Sequence, residues 1–126
     1  MSKAYVDTSC LVATLLAQPE GAAMARRLRR CDELLASNLL EAELRSALRR
    51  EAADNEPLIL GALTWVHPQR SLGPEIKRVL AAGYLRGADC WHLATALYLA
   101  DEPRKLTFLT LDARQRDVAH TLGFDV

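Results

Sequence analysis

Cysteine is scarce, with Cys10, Cys31 and Cys90 in 126 residues. An odd number without paired spacing is no disulfide framework and fits a reducing compartment. His67, His92 and His120 are scattered, and no C-x-x-C or H-x-x-x-H pattern occurs, which leaves a zinc site without ligands. Aromatics make up only 6% of the chain, and Trp65 and Trp91 do not form a stacking platform on their own. The six glycines contain no P-loop and no G-x-G-x-x-G, which excludes the common nucleotide cradles. No arginine stands where a cysteine phosphatase would need one, since Leu16, Ser37 and Ala96 occupy those places. The longest apolar stretch, Cys10 to Ala17, is too short for a bilayer, which needs about 20 residues. Asp7 interrupts the N-terminal apolar run, so that end does not read as a signal peptide. Together these absences lead us to expect a cytoplasmic protein with no membrane segment. Sixteen Lys and Arg balance sixteen Asp and Glu, so no net field advertises a polyanionic partner.

What is present is a globular composition, half apolar and a quarter charged. The length suits a single domain over residues 1–126. Thirteen of the sixteen basic residues are arginine, the better fork for phosphate and carboxylate. Arg26, Arg27, Arg29 and Arg30 spread round their helix and read as a solvated face. Short apolar segments alternate with helical ones. Ala4-Tyr5-Val6, Leu34-Leu35-Ala36, Thr64–His67 and Thr107–Thr110 read as strands, and Gly123–Val126 could add an edge strand. Helices are predicted over Cys10–Ala17, from Pro19 to about Arg30, over about 38 to 53 and 74 to 84, from an opening at Gly87-Ala88-Asp89 to Ala100, and over 112 to 122, with a shorter piece over Pro57–Leu63. Ser37 is the expected cap of the third. This alternation predicts a three-layer α/β/α fold around a central parallel sheet of four to five strands. In such sheets ligands bind beyond the carboxyl ends of the strands, where Asp7 and Asp112 fall.

Two further acids look misplaced. In the helix from residue 38, Leu39, Leu40, Leu44, Ala47 and Leu48 share one apolar arc at about 100° per residue. Glu43 falls inside that arc, whereas Glu41 lies at its edge and reaches solvent. A carboxylate facing a core must be paired, protonated or bound to metal. The plainer alternative is an ion pair, with Arg50 as one candidate. Asp89 projects along the Leu93, Ala96, Leu97 and Ala100 stripe of its own helix. Asp7, Asp89 and Asp112 could each simply cap a helix. Taken together, four acids aimed at one end of a sheet repel one another and need cations. Oxygen ligands select Mg²⁺ or Mn²⁺, the arrangement for metal-assisted phosphodiester hydrolysis.

Four segments in order then resemble the PIN-domain family, and within it the VapC-type toxin ribonucleases of toxin–antitoxin pairs. They are Tyr5-Val6-Asp7-Thr8-Ser9, the stretch Ser37 to Leu44 with Glu43, the stretch Leu85 to Ala96 with Asp89, and Phe108-Leu109-Thr110-Leu111-Asp112. Cys90, Trp91 and Leu111 depart from the family pattern. The resemblance implies a Mg²⁺-dependent (or Mn²⁺-dependent) endoribonuclease. Asp7 and Asp89 would be the principal metal ligands, with Glu43 and Asp112 completing the catalytic acid set. Asp117, one turn beyond Asp112, competes for the fourth place. Ser9 and Thr110 would fix the carboxylates through their hydroxyls. Rim arginines, not identified by the sequence, would hold flanking phosphates. The resemblance also implies a homodimer and a cognate antitoxin, with Cys10–Ala17 and the next helix as its groove, although most of those side chains read as core. His92 reads as a packed or hydrogen-bonded histidine rather than a base. The alternative is a non-catalytic α/β module that binds RNA or protein through a degenerate nuclease site. A response-regulator receiver is disfavoured, because Thr8 and Ser9 follow Asp7 and no Lys follows the last strand.

Overall fold

The computed structural model describes residues 2–53 and 55–126. Four strands form one parallel sheet: β1 (Lys3–Val6), β2 (Glu33–Ser37), β3 (Leu63–Val66) and β4 (Thr107–Leu109), in the spatial order β3-β2-β1-β4. Six helices connect them: α1 (Thr8–Leu15), α2 (Gly21–Arg29), α3 (Leu39–Arg50), α4 (Gly73–Ala82), α5 (Gly87–Leu99) and α6 (Ala113–Thr121). Leu58–Ala62 and Pro103–Lys105 are short 3-10 turns.

Successive strand residues face opposite sides, and both sides are covered. Tyr5, Leu35 and Phe108 pack with Val79 of α4, Leu93 of α5 and Val118 of α6. Ala4, Val6, Leu34, Ala36 and Leu109 meet Leu11, Met24 and Leu44 from α1, α2 and α3. The result is the three-layer α/β/α arrangement, with a core on each face of the sheet. Each large apolar side chain fully buried there contributes about 1.5–3 kcal/mol.

Several boundaries differ from the sequence expectation. The third helix ends at Arg50 rather than at about 53, because Ala52 turns into the left-handed region with φ of 53°. The Ala53 amide then bonds back to the Leu48 carbonyl at 2.8 Å, closing the helix without a glycine signal. Ser37 does offer its hydroxyl to the Leu39 amide at 3.0 Å, although Asn38 occupies the cap position itself. The C-terminal edge strand is reduced to one parallel bridge between Thr107 and Asp125. Phe124 turns into the core there, and Gly123, with φ of 100°, reverses the chain just before it. The sheet therefore has four strands.

The strand order sets the site. The chain leaves β1, builds β2 and β3 on one side, and returns to place β4 on the other. The crevice at such a reversal lies beyond the carboxyl ends of the two strands that flank it. Here those strands are β1 and β4, and the Asp7 amide bonds to the Leu109 carbonyl across the gap at 2.9 Å.

Candidate active site

Asp7 leaves β1 in extended conformation and caps α1, with Oδ2 accepting from the Ser9 amide at 3.1 Å. It is only 5% exposed. Capping does not exhaust it: Gln115 Nε2 donates to Oδ1 at 3.3 Å, and Thr110 Oγ1 lies 3.4 Å from Oδ2. Asp112 caps α6 through the Gln115 amide at 2.8 Å, using Oδ1 alone. Its carboxylate is exposed at the same end of the sheet. Asp89 caps nothing, because α5 begins at Gly87 with Arg86 in the cap position.

The electrostatics of Asp89 show what these acids share. Its carboxyl is pushed above the ordinary range by partial burial, then by the charges of Asp7 and Asp112, with Glu43 adding to them and His92 opposing. Acids from the end of β1, α3 and the β4–α6 turn thus act on a single carboxyl of α5. A cleft of about 510 Å³ is lined by Tyr84, Leu85, Arg86, Asp89, Asp112 and Arg114. Asp117 does not line it. That side chain borders a neighbouring groove with Gly83, Tyr84 and Thr121.

Glu43 is held differently from the expected ion pair. Arg50 reaches Glu51 at 3.4 Å instead, and Glu41 engages Arg45 at 2.7 Å. Glu43 Oε1 accepts from Thr8 Oγ1 and contacts His92 Nε2, both at 2.7 Å. Partial burial pushes the Glu43 carboxyl up, but the bonds to His92 and Thr8 outweigh it and hold the carboxyl below its ordinary range. His92 is fully buried, with Nδ1 lying 3.2 Å from the Tyr5 hydroxyl. That hydroxyl accepts from the Ser37 amide at 3.1 Å, and Trp91 Nε1 donates to Ser37 Oγ at 2.9 Å. Cys10, one helical turn from Asp7, is pushed up to about 12 by burial and then by the Asp7 charge, so its thiol stays protonated.

Ser9 and Thr110 sit between β1 and β4. Their hydroxyls are 3.5 Å apart, and Ser9 Oγ accepts from the Leu111 amide at 3.1 Å. Sequence reasoning missed Gln115, the residue that ties this region together. Its Oε1 accepts from Thr110 Oγ1 at 2.6 Å, while Nε2 reaches both Asp7 Oδ1 and the Asp89 carbonyl, the latter at 3.2 Å. The only signal was the D-x-x-Q spacing from Asp112, a capping-box pattern. That pattern would have sent the amide back to residue 112, whose own amide in fact bonds Thr110 Oγ1 at 3.1 Å.

The donor set fits a hard divalent ion, since every acid offers oxygen and mutual repulsion favours a cation among them. Among the described residues, no three His, Cys, Asp or Glu side chains gather closely enough to enclose an ion alone.

A parallel sheet whose order reverses over an acid-lined cleft defines the class, and comparison places the chain in it: the chain belongs to the PIN-domain family, whose model matches residues 4–121. Across its whole length it is also similar to Ribonuclease VapC46 of Mycobacterium tuberculosis, at 35% identity over 132 residues, covering 97% of that relative. No solved structure matches the chain.

Proposed function

We propose that this protein is a divalent-metal-dependent endoribonuclease, the toxin of a type II toxin–antitoxin pair. The observation that carries the reading is that Asp89 and Asp112 line one cleft, while His92 of the same helix as Asp89 lies 2.7 Å from Glu43 and 3.9 Å from Asp7. The similarity to a protein named as a ribonuclease supports RNA as the substrate. Mg²⁺ or Mn²⁺ held by Asp7 and Asp89, partly through water, would neutralise phosphate charge and activate a water for attack on phosphorus.

The chain's own residues prepare that event. Ser9, Thr110 and Gln115 fix Asp7 in one orientation. Glu43 keeps its charge through Thr8 and His92, and both contacts use Oε1, which leaves Oε2 to orient water. Asp112 likewise commits Oδ1 to its cap and turns Oδ2 to the cleft. Hydrolysis would leave a 5′-phosphate and a 3′-hydroxyl. The protein would act as a cytoplasmic homodimer, and among the described residues no helix is long and apolar enough to cross a membrane. The apolar groove of about 380 Å³ beside α1 and α2, which includes Leu11, Leu15, Ala25 and Leu28, is the surface we assign to the antitoxin.

The test is cleavage of RNA by purified protein with Mg²⁺, with and without EDTA. We expect EDTA, Asp7→Asn and Asp89→Asn each to abolish cutting while circular dichroism stays native. Cutting that survives all three would overturn the reading.

A further inference from the structure

The acids explain where RNA would be cut but not how a polyanion is held against four carboxylates. Any phosphate flanking the scissile one needs cations that the acids have not already neutralised. Arg45, Arg50, Arg70 and Arg104 are paired with glutamates, and Arg116 donates to the Thr110 carbonyl. Arg86 and Arg114 differ: both are exposed, both line the acid cleft, and neither side chain has a hydrogen-bond or ion-pair partner among the described residues. Tyr84 stands with them. It is 69% exposed, the most open aromatic on the described surface, and it borders both the acid cleft and the adjoining groove of about 270 Å³ beside Asp117. Arg114 borders both as well. Tyr84 and Arg114 therefore form the ridge between the two depressions. One exposed tyrosine needs no function on its own. Its place on this ridge, between two free guanidiniums and next to Asp89 and Asp112, is what calls for one.

We propose that Tyr84, Arg86 and Arg114 form a hold for single-stranded RNA at the mouth of the acid cleft. The Tyr84 ring stacks on a base beside the scissile phosphate, and the two arginines bind the neighbouring phosphates. Stacking requires an exposed base face, which a duplex does not present, so the hold selects single strands. The inference rests on the ribonuclease reading, but its test does not require cleavage.

Fluorescence anisotropy in EDTA with a labelled single-stranded RNA of randomised sequence gives the affinity, and the same measurement with a blunt-ended two-strand duplex gives the contrast. For Tyr84→Ala we expect about ten-fold weaker binding to the single strand. Tyr84→Phe, which keeps the ring, should bind like the wild type, and the duplex should not distinguish the three proteins. Arg114→Ala and Arg86→Ala should each weaken binding and lower the salt dependence by about one charge. Equal affinities of the wild type and Tyr84→Ala would overturn the hold while leaving cleavage intact as a separate result. A Tyr84→Ala change that alters only the sedimentation of the protein would overturn it too, and assign the ring to a protein contact. Failure of the wild type to bind or cut any RNA would remove both readings.

Discussion

Gln115 does for Asp7 what a charged partner could not. It is fully buried, and its neutral amide donates to Asp7 without cancelling the negative charge a cation would need. Gln115→Glu would set an oxygen against Asp7 Oδ1 where a donor now lies at 3.3 Å. We expect RNA cleavage to fall about 10–100-fold, the scale seen when the partner of a metal ligand is lost. Gln115→Leu should in addition lower stability in urea unfolding by about 1–3 kcal/mol, since the Thr110 hydroxyl loses its acceptor. Wild-type rates in Gln115→Glu would show that the amide only packs. His92 supplies the pH prediction. Glu43 has a lowered native pKa, so its contribution to stability is present above the ordinary value of 4.5 and is lost as pH falls through the lowered one. His92→Ala leaves Thr8 alone against the burial that pushes Glu43 up, so Glu43 should protonate at higher pH. The acidic limb of the pH–rate profile should shift upward with it, and an unmoved limb would exclude Glu43 from the essential ionised set. The four acids were legible in the sequence because a carboxylate on an apolar arc or at a strand end breaks the local pattern. His92 was legible as a packed, hydrogen-bonded histidine but its partners were not, and Gln115 and the Tyr5 hydroxyl were missed, because nothing local distinguishes a polar residue that meets a partner many residues away from one facing solvent or core.

At the scale of elements, two helix ends lack the residue their geometry favours. Ala17 and Ala52 adopt φ of 52° and 53°, just after α1 and α3. Each is followed by an amide that bonds back to the last turn, Gln18 to Ala13 at 3.0 Å and Ala53 to Leu48 at 2.8 Å. A Cβ in that conformation costs about 1–2 kcal/mol, partly offset by the entropy a glycine would lose. We expect Ala52→Gly to stabilise the protein by about 0.5 kcal/mol in chemical denaturation. Gly21→Ala should do the reverse. A Cβ at Gly21 would overlap the Ala13 carbonyl oxygen, prising the start of α2 from α1, and we expect a loss of about 1–3 kcal/mol. These positions also show why element types were readable while some boundaries were not. The apolar periodicity of α3 is local, so it was visible. Its stop was not, because alanine gives no signal of a left-handed turn. The C-terminal strand failed for a different reason: Phe124 satisfies the apolar pattern by plugging the core, and the pairing beside it is limited to Asp125.

For the molecule as a whole, the acid site is a built-in source of instability. The site is assembled from both ends of the chain: Asp7 follows β1 and is buried, while Asp89 of α5 and Asp112 after β4 line the cleft. Folding therefore concentrates charges that the unfolded chain keeps apart. The raised carboxyl of Asp89 records this. A carboxyl whose native pKa lies above its unfolded value binds its proton more tightly when folded, so its ionised form opposes folding at neutral pH and that penalty fades as pH falls through the raised value. Asp89→Asn should accordingly raise the melting temperature of the metal-free protein by about 1–3 °C while abolishing RNA cleavage. Mg²⁺ should act in the opposite pattern. An ion that binds the native state alone adds about 2.7 kcal/mol at a hundred times its Kd. Melting of the wild type should rise with Mg²⁺ in a saturable way, and Asp89→Asn should lose most of that response. The two curves are expected to cross, with the variant more stable in EDTA and the wild type more stable in saturating Mg²⁺. Parallel curves would mean that the four carboxylates are tolerated singly and that no shared ion joins them.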